Sequence, residues 1–117
     1  MSQPTLFDGN AATVEAGKVV LYALGDFQSR KKVLADRELA LDRLRGAFKR
    51  SCERFGIAEM TDLELVETLK ILGAKITEVP PFVAKHPYRV NVPRDLADQA
   101  AAVYLYSQKL ETGDINR

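Results

Sequence analysis

Cysteine, histidine and tryptophan are nearly missing from this chain. There is one cysteine, Cys52, one histidine, His86, and no tryptophan in 117 residues. A lone cysteine excludes an internal disulfide framework and points to a reducing cytoplasm rather than secretion. Zinc needs four ligands, normally several Cys or His at close spacing, so no metal site is expected. His86 lies between Lys85 and Pro87. It could act as a base near neutral pH, but its loop setting reads as plain solvation. There is no serine in a nucleophile elbow and no glycine-rich phosphate loop. No catalytic residue and no cofactor are therefore expected, and an enzyme ranks third among the functions considered. Met1-Ser2-Gln3-Pro4 lacks a basic region followed by an apolar run, so a signal peptide is not expected. The apolar runs are too short to cross a bilayer, so no membrane partner is expected.

Charge of one sign is also missing in bulk, because the net value is only +1. That gives no general drive toward nucleic acid or acidic membranes. The distribution says more. Nine basic residues face four acids from Gln28 to Arg54, a local excess of five positive charges. From Ala58 to Val79 five acids face two lysines, an excess of three negative charges. A basic helix beside an acidic one follows, either attracting each other or offering a basic face to a polyanion.

What is present fits one soluble domain. Hydrophobic residues make up 46% and charged residues 28%, ordinary values for a globular chain of this length. The organisation expected is a tail over 1–11, one domain over 12–113 and a short tail over 114–117. Lys18 to Leu24 is β-branched and aromatic enough for a strand ending at the Gly25-Asp26 turn signal. A helix from Ala11 through this stretch competes with it, since periodicity alone does not separate the two.

The second helix is written more plainly. Leu41, Leu44, Phe48, Cys52 and Phe55 recur at steps of three and four. The stripe predicts about 19 residues, from near Asp36 to a stop at Gly56. Arg43, Arg50 and Arg54 share a narrow arc on its other side. The third helix opens with Thr61-Asp62-Leu63-Glu64, a capping box, and stops at Gly73. It buries Leu65, Val66, Leu69 and Leu72, leaving Glu64, Glu67 and Thr68 outward. Leu44 and Phe48 are expected against Val66 and Leu69.

Ala74 to Val79 then reads as a strand broken by Pro80-Pro81. Phe82 to Pro87 is a loop. Tyr88, Val90 and Val92 alternate on one face of a second strand, which makes a hairpin with the first. Pro93 starts the last helix, with an inner stripe at Leu96, Ala100, Val103, Ser107 and Leu110.

The expectation is a helix-rich α+β domain with a small antiparallel sheet. The Phe55-Gly56-Ile57 turn, the closing Leu72-Gly73-Ala74-Lys75-Ile76 and the order of elements over 18–111 resemble the winged helix-turn-helix superfamily. The chain departs from that pattern in a long second helix and in having no clear helix before the first strand. A generic α+β domain is the alternative. The resemblance implies a shape that often binds DNA. Yet the helix that would enter the major groove presents Glu64, Glu67 and Thr68, and carboxylates are repelled by phosphates. Nucleic-acid binding would therefore be non-specific and would fall to Arg43, Arg50 and Arg54, with Lys85 and Arg89 on the wing.

Two further signals concern protein partners. Gln3-Pro4-Thr5-Leu6-Phe7 is similar to the Gln-x-x-Leu-Phe peptide by which bacterial replication and repair proteins bind the sliding clamp. That resemblance implies Leu6 and Phe7 inserted in an apolar pocket and Gln3 fixing the register. The plainer alternative folds Leu6 and Phe7 onto the domain's own core. On the last helix, Leu105 projects away from the inner stripe and Tyr106 flanks it, so a homodimer with Leu105 and Tyr106 in the contact is expected. The function expected is a small non-enzymatic binding or regulatory protein of a bacterial-type cytoplasm, acting through protein contacts. The alternative is a nucleic-acid-associated factor, such as a replication or repair accessory, using the basic helix face.

Overall fold

The computed structural model describes residues 3–80 and 88–112, with side chains described over 15–80 and 88–109. The elements are α1 (Gln3–Ser29), β1 (Glu38–Ala40), α2 (Leu41–Phe55), α3 (Asp62–Leu72), β2 (Lys75–Glu78), β3 (Tyr88–Asn91) and α4 (Arg94–Thr112). They make a helix-rich α+β domain with one antiparallel sheet in the order β1-β3-β2. Val90 pairs with Leu39 on one side and Ile76 on the other.

The first strand expected, over 18–24, is part of α1 instead. Val19 to Leu24 are all buried, because α1 packs against α4, α2 and α3 on different sides. A helix enclosed on several sides has no polar face, so its run of apolar residues imitates a buried strand. α1 starts at Gln3, within the segment read as a tail. Residues 113–117 lie outside the described residues.

Gly25 is not a turn either. It faces α4, where an added Cβ would stand 2.4 Å from Tyr104 Cβ and 2.5 Å from the Ala100 carbonyl oxygen. The missing side chain lets α1 and α4 approach at backbone distance. Gln28 locks the same crossing by donating from Nε2 to the Ala97 carbonyl at 2.9 Å.

α2 is 15 residues long and begins later than Asp36. Asp36 has φ 59°, a left-handed conformation that a helix start does not use. The three residues before α2 are spent on β1, which puts Leu39 in the core. A strand this short shows too little alternation to be read from sequence. Gly56 ends α2 at φ 69°, as its position predicts.

α3 follows its sequence closely. Thr61 Oγ1 accepts from the Glu64 amide at 3.2 Å, and Glu64 Oε1 accepts from the Thr61 amide at 2.8 Å. Gly73 closes it at φ 113°. Thr68 differs from expectation: it is buried, and its hydroxyl donates to the Glu64 carbonyl at 2.8 Å.

Leu44, Phe48, Val66 and Leu69 all lie in one buried core with Val20, Leu24, Val90, Val92 and Leu96. α2 meets that core chiefly through α1. Ser51, fully buried on α2, donates from Oγ to the Val19 carbonyl of α1 at 2.6 Å.

Candidate functional site

The arginine stripe of α2 is largely used inside the molecule. Arg50 reaches α1 and donates from Nε and Nη2 to Asp26 Oδ2, at 2.8 and 2.5 Å. Asp26 is 5% exposed, and Arg30 Nε approaches its other oxygen at 3.5 Å. Arg54 lies over the Tyr22 ring at 4.8 Å and donates from Nη2 to the Ser107 carbonyl of α4 at 3.3 Å. Tyr22 itself meets Phe55 edge-on at 5.6 Å and Tyr104 at 5.1 Å. Cation–π contact and aromatic packing together join α1, α2 and α4 at this end. Arg43 remains exposed. Arg89 is half-buried on the central strand, opposite Ala40 and Thr77, well away in the chain from the α2 stripe. Lys85 and His86 lie outside the described residues.

Arg45, which the sequence did not single out, joins the two helices. Its Nη2 donates to Asp62 Oδ1 at 2.8 Å and its Nε to Asp42 Oδ1 at 3.2 Å. The hydrogen bond to Asp62, then the one to Asp42, hold its guanidinium charged more firmly than usual. The pairing fixes the first turn of α3 against α2. The signal was present in the sequence as local opposite charge, but nothing there said which arginine would meet Asp62.

The outward side of α3 opens onto a broad groove of about 900 Å³. It is lined by Glu15 and Ala16 of α1, by the 57–61 loop, and by Leu63, Glu67 and Ile71 of α3. Leu63 is 62% exposed and Ile71 65% exposed. The carboxylates lining it are Glu15, Glu59, Glu64 and Glu67; among the described residues no Lys or Arg lines it. An acidic rim with aliphatic side chains between is suited to a basic, partly apolar surface and unsuited to phosphates. Glu64 is committed to the cap of α3 as well.

α4 carries the second apolar exposure. Its inner side, with Leu96, Ala97 and Ala100, is covered by α1. Leu105 and Tyr106 stand outside that contact at 63% and 64% exposure. Gln3, Leu6 and Phe7 fall in the backbone of α1, and their side chains lie outside the described residues.

Cys52 is buried and unpaired. Among the described residues, no three His, Cys, Asp or Glu side chains gather as a metal site. No described helix is long and apolar enough to cross a membrane. Comparison with protein-family models, curated proteins and solved structures finds no match to this chain.

Proposed function

We propose that this chain is a winged-helix-like domain used as a non-enzymatic binding or regulatory protein. Its order helix, strand, helix, helix, strand, strand, helix and its β1-β3-β2 sheet support the resemblance. α1 supplies the leading helix that the sequence left without a clear signal. The observation that carries the function is the outward face of α3. Where a DNA reader needs cations and amide donors, this face offers Leu63, Ile71 and Glu67. That composition favours protein contacts over nucleic acid.

A homodimer through α4 belongs to the same reading, with Leu105 and Tyr106 in the contact. The buried free thiol of Cys52 fits a reducing cytoplasm. A pull-down from the native host, with nuclease treatment, tests the proposal. The expected result is a nuclease-resistant protein partner that is lost when Leu63 and Ile71 are both changed to serine. Recovery of nucleic acid alone would overturn it.

A further inference from the structure

We infer that the groove between α1 and α3 receives a cationic amphipathic helix from a partner protein. This rests on the protein-contact reading above and names the occupant. Charge comes first. Glu15, Glu59 and Glu67 line the groove, and among the described residues no Lys or Arg lines it with them. The α1 residues whose side chains are not described, 3–14, include no Lys or Arg either. A basic partner is attracted to this field, while an acidic one is repelled.

Shape supplies the helix. Leu63 and Ile71 are eight residues apart on α3, so they lie about 12 Å apart along its axis. The i and i+7 positions of a partner helix are about 10.5 Å apart, a near match for two such contacts. An extended chain would place alternate side chains far more densely than these two exposed anchors ask for. The 57–61 loop adds Ile57 and Met60 to the lining, apolar surface for a third anchor. The groove is open to solvent, which suits a segment of a partner protein better than a small molecule enclosed in it.

The test uses the full chain and a fluorescent peptide of about 18 residues, or five helical turns. Leucines occupy i, i+3, i+4 and i+7, and lysines fill the remaining positions. Anisotropy is read at about 0.15 M salt. Two control peptides replace the lysines by glutamates, or scatter the leucines around the helix. Saturable binding is expected, at least about tenfold weaker for either control. Leu63→Ser with Ile71→Ser removes exposed side chains and should lower affinity by about tenfold while circular dichroism stays unchanged. Glu59→Gln with Glu67→Gln should weaken binding severalfold and flatten its salt dependence. Equal binding of the glutamate peptide, or affinity unchanged in both variants, would overturn the inference. So would a dimer that dissociates on Leu63→Ser with Ile71→Ser, since the groove would then belong to a second copy. If the host partner is lost with these serine variants but the lysine peptide does not bind, the occupant is wrong and protein contact stands. If neither occurs, both readings fall.

Discussion

Arg50 on α2 closes onto Asp26 on α1, with Nε and Nη2 both donating to Oδ2. A cation whose place on the helix marks it for a polyanion is instead half of an internal pair. Asp26 is almost wholly removed from water, so its carboxylate depends on Arg50 and Arg30 for the interactions that solvent would have made.

Asp26→Ala should therefore destabilise the protein, by about 1.5–3 kcal/mol for hydrogen bonds to a charged group. The low end applies, because Arg50 is 42% exposed and regains water. Urea unfolding measures it. A loss within experimental error would show that the pair does not hold α1 to α2.

Gly25→Ala should cost about 1–3 kcal/mol or more, through overpacking at the α1–α4 crossing. The obstacles are the backbone of Ala100 and the base of Tyr104, which have no rotamer to yield. A melting temperature equal to that of the parent would mean that the two helices do not cross so closely.

Phe48→Ala should cost about 3–5 kcal/mol, a large share of the stability of a domain this size. Phe48 is 3% exposed inside the shared core. A loss below about 1 kcal/mol in the same denaturation assay would put the wrong face of α2 inward.

The helix boundaries that rest on local chemistry were legible in advance. The Thr61 cap, Gly56 and Gly73 state their own roles, because capping needs only neighbouring residues. The hairpin of β2 and β3 was legible through alternation and the proline break. Over 18–24 the competing helix forms rather than the strand, and the sequence does not decide between them because the burial of α1 comes from three distant helices, which a local window does not contain. The arginine arc was visible as a pattern. Its chemistry was not, since Asp26, Tyr22 and Ser107 lie 24, 32 and 53 residues from their arginines. The groove was half legible. The acidity of α3 showed, while the exposure of Leu63 and Ile71 did not.

Duplex DNA should bind weakly, without sequence preference and with steep salt dependence. Arg43→Gln should reduce it modestly. Arg50→Gln and Arg54→Gln should act mainly on thermal stability, since both arginines are engaged with other helices. Electrophoretic titration at two salt concentrations, set beside melting curves, separates the effects. Tight binding to one defined sequence, indifferent to Arg43, would contradict the proposed function.

Light scattering at micromolar concentration should give a dimer mass, and Leu105→Glu should return a folded monomer. An unpaired carboxylate buried in the α4 contact is strongly unfavourable. A monomer that persists as concentration rises would remove this contact.

The close fit of α1 to α4 also orders the birth of the protein. Tyr22, Gly25 and Gln28 leave the ribosome early, whereas Tyr104, Ala100 and Ala97, the α4 residues they meet, come about seventy residues or more later. At roughly 5–20 residues per second, the first helix waits several seconds for that cover. During this interval its apolar surface is open to chaperones and to neighbouring nascent chains. The α1–α4 crossing is thus a late, long-range closure, and a chain arrested before α4 would be a substrate for quality control.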